Sequence, residues 1–268
     1  MSADKQEMRE MSFWEHLDTL RSVILRAAAV ILTIGIALFN FMPWIFDNII
    51  LAPCHGDFPL YRFIDILTDK MSWIQATQMS ENFELQLINI QLASQFFIHM
   101  SASCWLALVL SFPIIIYLLW GFIKPGLYAS ERRGAVKAFI FGNAMFVAGI
   151  AVGYFVIFPI TVRFLAGYQL SPTIPNTISI DSYMDTFISL ILIMGLTFEL
   201  PLLAWMLGRA GVLHRQFFTR YRRHAIVALL ILAAIITPTG DPFTLMLVFA
   251  PIYMLWEFSA YLVAPKEI

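Results

Sequence analysis

The sequence predicts an all-α integral membrane protein that crosses the bilayer six times. Three observations carry that reading. The 268-residue chain is 60% hydrophobic and 13% charged, with a mean hydropathy of +0.77; an average soluble domain is roughly 45–50% apolar and about 25% charged. The apolar residues fall into runs, most of them near the roughly 20 residues that a helix needs to span a bilayer. The charges are sorted between alternate loops. This composition excludes disorder, which requires low hydrophobicity and high charge, and it argues against a soluble globular enzyme. A formal net charge of −1 lacks the basic excess that nucleic-acid binders place on one face, so no nucleic-acid partner is expected. Cys54 and Cys104 are too few for a disulfide framework and read as unpaired thiols. There is no CxxC, HExxH or His/Cys cluster, so neither a metal nor another cofactor is signalled.

The elements follow in order. Met1 to Arg21 is polar, and the run after it is too long for a signal peptide and lacks a small-residue cleavage site. That run, 23–41, is expected to be a retained helix. Residues 47–91 include Asp57, Asp65, Asp69, Glu81 and Glu84, too many charges for a span. Their patterned stretches, 60–67 and 85–92, predict short amphipathic helices on the membrane surface. The second span is 96–119, interrupted by Pro113. The third is 138–158, closed by Pro159. The Pro/Ser/Thr/Asn-rich stretch from Gly167 to Asp181 reads as irregular. The fourth span, 187–207, holds Glu199 and Pro201 near its middle. A basic loop, Arg209 to Arg223, leads to the fifth span, 225–236. The turn from Thr237 to Pro242 then opens the sixth, 243–263. The fifth run is below the roughly 17–25 residues of an ordinary span, and a locally thinned bilayer accounts for it better than a re-entrant hairpin.

Orientation comes from the Lys/Arg bias of the loops. Fourteen of the seventeen basic residues fall on one side, and only Arg62, Lys70 and Arg163 on the other. The basic side is expected to be cytoplasmic, with both termini inside and the whole chain forming one membrane domain. No internal repeat relates the halves, which weakens a repeat-built secondary transporter.

Glu199 is the sharpest single feature. A carboxylate near mid-membrane costs about 2.5–3.5 kcal/mol or more unless neutral, paired or hydrated, and intramembrane carboxylates are functional by default. Pro201 frees backbone groups beside it and permits a kink. Glu15 and Glu131 stand in otherwise basic segments, where each by itself reads as a solvated charge. Glu257 is expected to snorkel or pair with a basic loop residue, and His99 to be interfacial. Trp14, Trp44, Trp105, Trp120 and Trp256 sit near span ends, as an aromatic belt does. No nucleophile elbow or P-loop is present, nor a paired-Asp or Ser/His set within the spans, so no enzymatic activity is expected.

Four segments, in order and in matching topology, resemble the TatC family, the multi-spanning subunit of the twin-arginine protein translocase. They are Phe13-Trp14-Glu15-His16-Leu17-Asp18-Thr19-Leu20-Arg21, Tyr117 to Tyr128 continuing through Glu131-Arg132-Arg133, Phe198-Glu199-Leu200-Pro201, and Thr237 to Pro242. The resemblance implies a concave, glove-like bundle whose last two helices are short. It implies a receptor, not an enzyme, in the cytoplasmic (inner) membrane, which binds twin-arginine signal peptides and helps export folded cargo on the proton motive force. Its implied partners are single-span TatA- and TatB-type subunits and further copies of itself within the complex. By motif match, Glu15 and Glu131 would receive the arginines, flanked by Phe122 and Tyr128. Glu199 and Pro201 would face the concave side, and Thr237, Asp241 and Thr244 would meet partner helices. The stretch Phe243-Thr244-Leu245-Met246 lacks the Gln that some members carry there. The competing expectation is a proton-coupled small-solute transporter working through Glu199.

Overall fold

The computed structural model describes residues 13–70, 83–123, 129–171, 173–174, 176–209 and 211–263, without the side chains of 13, 15–16, 67–70, 123 and 129–135. The chain begins with α1 (Phe13–Ile45), which runs on through a π-helical segment, Phe46–Ile50, and a 3-10 turn, Ala52–Cys54. A surface helix, α2 (Pro59–Lys70), follows. Then come a two-residue strand, β1 (Leu87–Ile88), and α3 (Ser94–Ile123). Helix α4 (Ala129–Val152) passes through a second π segment, Gly153–Ile157, into α5 (Phe158–Gly167). Strand β2 (Ile178–Ser179) precedes α6 (Ile180–Thr197) and α7 (Leu200–Arg209). The chain closes with α8 (Arg215–Arg220), α9 (Arg222–Ile236) and α10 (Pro242–Leu262).

Among the described residues, five helical stretches are long and apolar enough to cross a membrane. The sixth, α9, has 15 residues and a length of about 22 Å at 1.5 Å per residue, short of the roughly 30 Å hydrocarbon core. Thr237-Pro238 ends it, and Gly240 at φ 60° completes a turn that admits no further helix. Helix α10, at 21 residues, reaches span length.

Proline acts differently than its position in sequence predicts. Pro113 lies inside the continuous α3. Pro159 does not close the third span, which continues to Gly167. A proline removes one donor from the ladder, and the π segment at Gly153–Ile157 absorbs the mismatch one turn earlier. The patterned stretch 85–92 is not helical either. Leu87 and Ile88 pair in parallel with Ile178 and Ser179, and His55 bridges Glu84. Pairing with residues about ninety positions away overrides local periodicity there.

Helix α1 packs along α3, α4 along α6, and α10 against α7, α8 and α9; contacts of α3 with α6 join the first two groups, and contacts of α7 with α4 and of α9 with α6 join the third into a glove-like bundle. The α4–α6 crossing is built on glycine. Gly149 on α4 and Gly153 at the start of the π segment form a GxxxG pair, and a Cβ at Gly149 would lie 2.6 Å from the Met194 carbonyl oxygen and 2.8 Å from Gly195 Cα. Lipid supplies no hydrophobic drive between helices, so close backbone approach and van der Waals packing hold such crossings. An apolar cavity of about 310 Å³ opens between α1, α3, α4 and α6, lined by residues such as Ala102, Leu106, Val147, Met184 and Ile191.

Three tyrosines tie the less basic end together. The Tyr61 hydroxyl sits between the carbonyl oxygens of Pro53 (3.0 Å) and Pro159 (3.1 Å). Tyr183 donates to the Ile50 carbonyl at 2.6 Å and Tyr154 to the Ile49 carbonyl at 2.8 Å. These carbonyls lie where the π segment, the 3-10 turn and proline interrupt the helical ladder, so the phenols take the place of missing backbone donors. Cys54 is buried in this cap and Cys104 is exposed, and both are free thiols.

Candidate functional site

At the basic end, α1 and α3 border a groove of about 760 Å³. Asp18, Thr19, Ser22, Val23 and Arg26 line it from α1; Tyr117, Leu118, Trp120, Gly121 and Phe122 line it from α3. Steps of four residues put Asp18, Ser22 and Arg26 on one helical face. Phe122 thus stands on the groove wall. Glu15 lies near the described start of α1 and Glu131 near that of α4. The side chains of Glu15 and Glu131, and the whole of Tyr128, lie outside the described residues. Asp18 is the groove residue that motif reading passed over. Its signal was present in the sequence: it follows Glu15 by three residues, so the two carboxylates share a face of α1.

Glu199 occupies the two-residue break between α6 and α7. Its N–H bonds the Leu196 carbonyl at 3.1 Å, three residues back, in place of the fourth-residue partner of an α-helix. Pro201 has no N–H to return to Thr197, and the helix therefore resets here. The carboxylate packs against Gly142 of α4: a Cβ at that glycine would lie 3.1 Å from Glu199 Oε2. Glu199 Oε1 and Asn143 Oδ1 are buried and have no hydrogen-bond partner among the described residues. Leaving a buried polar atom unpaired costs about 1–3 kcal/mol, so this is a polar node held open inside the bundle.

The third set, Thr237, Asp241 and Thr244, is gathered in the turn between α9 and α10. Asp241 caps α10: its Oδ1 accepts from the Thr244 N–H at 2.7 Å, and its Oδ2 accepts from the Thr239 hydroxyl at 2.7 Å. Pro242 follows at the first helical position, where its missing N–H costs nothing. Thr237 bonds back to the Ala233 carbonyl at 3.0 Å, and both Thr237 and Thr244 are buried. The Thr237 and Asp241 side chains are engaged within the turn, Thr244 Oγ1 is buried without a hydrogen-bond partner among the described residues, and the surface beside the turn is the outer face of α9, where Val227, Ile231 and Ile235 are exposed. Burial pushes the Asp241 carboxyl up, but the bonds from Thr239 and Thr244 outweigh it and hold its pKa below the usual carboxylate range. A depressed carboxylate stabilises the fold above its unfolded value, about 3.9. That contribution fades as pH falls through the folded value. Asp241→Ala is expected to cost about 0.5–2 kcal/mol by loss of the cap, read as a lowered Tm at neutral pH. The difference from the parent protein shrinks below about pH 4.

The remaining ionic contacts at the basic end explain themselves. Arg222 pairs with Glu257 at 2.7 Å, and Tyr253 donates to the same carboxylate at 3.0 Å, as expected of a carboxylate near a basic loop. Arg209 stacks over Trp205 and Arg215 over Tyr261. His99, expected to be interfacial, donates to the Phe39 carbonyl at 2.8 Å and stacks on that ring, joining α3 to α1.

Comparison with known proteins agrees with this geometry. A family model described as Sec-independent protein translocase protein (TatC) matches residues 15–251. A protein of that name from Blattabacterium sp. subsp. Periplaneta americana is 34% identical over 260 residues, 96% of this chain and 97% of its own. One from Koribacter versatilis is 30% identical over 98% of this chain and 90% of its own. A crystal structure described as twin arginine translocase receptor TatC superposes with a TM-score of 0.71 at 26% identity. It covers 92% of this chain and 97% of the other.

Proposed function

The chain belongs to the TatC family of Sec-independent protein translocase proteins, and on that premise we propose that it is the membrane receptor for signal peptides bearing paired arginines. As a member it is a multi-pass membrane component of a protein translocase that acts in a complex. The finer reading rests on the groove between α1 and α3. Asp18 and Phe122 line that groove, and Glu15 and Glu131 head the two helices nearest it in sequence. Guanidinium groups take carboxylates in bidentate geometry, and aromatic faces receive them by stacking. Phe122 and Tyr128 serve the second purpose. The basic end is then cytoplasmic, in the inner membrane. The outer face of α9 takes single-span TatA- and TatB-type helices, further copies join the complex, and the proton motive force drives export of folded cargo.

The test is direct. The purified chain in detergent is titrated with a signal peptide containing Arg-Arg and with its Lys-Lys counterpart. Tighter binding of the arginine peptide is expected, and equal binding overturns the receptor reading. Lysine keeps the charge but not the planar fork, so the comparison isolates recognition from bulk attraction.

A proton-coupled solute transporter would need a hydrated midplane chamber around Glu199. The cavity between the spans is apolar, with Tyr154 as its one titratable lining residue, and Glu199 is not on its wall. Glu199 belongs instead to the α4–α6–α7 packing. Glu199→Gln is expected to keep most export activity, since the amide fills the same space beside Gly142. Glu199→Ala is expected to lose it. Export assays that find both variants equally inactive would require a charge at this position.

A further inference from the structure

We propose that α2 is an in-plane membrane anchor, with Phe63 and Ile66 inserted at the headgroup–acyl boundary of a phospholipid leaflet. Two independent observations lead there. The first is depth. Counted from Ala138, the first residue after Lys137 in this helix, Tyr154 lies about 24 Å along the span and Pro159 about 32 Å, at 1.5 Å per residue. The hydrocarbon core is roughly 30 Å thick. Phe58, just before α2, packs edge-on against Tyr154 at 5.7 Å, and the Tyr61 hydroxyl reaches the Pro159 carbonyl at 3.1 Å. Helix α2 is therefore fastened to the bundle where the hydrocarbon ends.

The second observation is the arrangement of side chains around α2. Tyr61 faces the bundle and is fully buried. Taking it as zero, at about 100° per residue, Asp65 and Arg62 fall near +40° and +100°. Leu60 and Ile64 fall near −100° and −60°. Ile66 and Phe63 fall near +140° and −160°, opposite the bundle, and are 57% and 58% exposed. One side of the helix is thus ionic, and Arg62 extends it by pairing with exposed Asp57 at 3.9 Å. The opposite side and the back are apolar. With Tyr61 against the bundle and Arg62 toward water, Phe63 and Ile66 point sideways into the boundary region. This surface continues the lipid-facing belt, since Phe155, exposed on the span below, stacks on Phe58. An amphipathic helix with this division of faces partitions to the interface in proportion to its buried apolar area.

The experiment places a nitroxide in turn at Arg62→Cys, Phe63→Cys and Ile66→Cys in the full chain. It carries Cys104→Ala and is reconstituted in phospholipid vesicles; Cys54 is buried. Collision with oxygen, which concentrates in hydrocarbon, is compared with collision with a nickel chelate, which stays in water. Labels at 63 and 66 are expected to favour oxygen, and the label at 62 the chelate. A label at 63 or 66 that favours the chelate overturns the anchor. So does one that neither reagent reaches, which is the signature of a protein covering this face.

Discussion

Replacing Glu131 or Glu15 by glutamine is expected to weaken binding of a twin-arginine peptide by roughly 10- to 100-fold each, with the thermal stability of the chain unchanged. A hydrogen bond to a charged group contributes about 1.5–3 kcal/mol, and 1.4 kcal/mol is tenfold in affinity. Glutamine keeps the size and one acceptor but removes the charge that makes a bidentate guanidinium bond strong. Both residues lie near the described starts of α1 and α4, well before Gly149 in α4, so the α4–α6 crossing is expected to be unaffected. Asp18→Asn provides a graded comparison. Asp18 lines the same groove and shares the α1 face with Glu15, so a smaller loss is expected if it guides the peptide. Fluorescence titration in detergent reads all three. Unchanged affinity in both glutamate variants would remove the carboxylates from the site while leaving family membership intact.

The second large effect is on assembly of the fold. Gly149→Ala is expected to destabilise the protein by about 1–3 kcal/mol, the usual cost of overpacking. The new methyl would meet the Met194 carbonyl oxygen at 2.6 Å and Gly195 Cα at 2.8 Å. Both are backbone atoms and cannot rotate aside, so α4 and α6 must separate. Gly142→Ala is the control. Its closest neighbour is Leu202 Cδ2 at 2.6 Å, the end of a flexible side chain, and a smaller drop in Tm is expected. Phe198 Cβ also lies 2.9 Å from the position of a Gly149 Cβ. The Gly149 variant should therefore disturb the Glu199 break as well, and lose export beyond what its lower stability explains. Thermal denaturation in detergent, alongside export assays, checks both.

Much of this was legible without coordinates, because the bilayer is a strict solvent. It demands internally satisfied backbone over some 20 residues, so spans, the shortness of the fifth helix and the sorting of cations are visible in the linear chain. That Glu257 would snorkel or pair with a basic residue, and that the chain could kink at Glu199–Pro201, was also visible, since a charge near a span end and a proline beside a carboxylate have few ways to be satisfied; that the partner is Arg222 was not. The groove was only half legible. Its motif pointed to Phe122, but Asp18, Ser22 and Arg26 acquire meaning only when α3 lies alongside them.

The sequence by itself determined the membrane class, the helical architecture and the family. Each of these follows from composition and local order. The tertiary structure alone decided the rest. It decided that Pro159 does not end its span, because a π segment upstream takes up the lost hydrogen bond. Residues 87–88 form a strand because their partner is Ile178–Ser179. Gly149 is indispensable because of the backbone that passes 2.6 Å from its absent side chain. These outcomes depend on atoms distant in sequence, and neither hydrophobic periodicity nor motif spacing carries information about which distant atoms will meet.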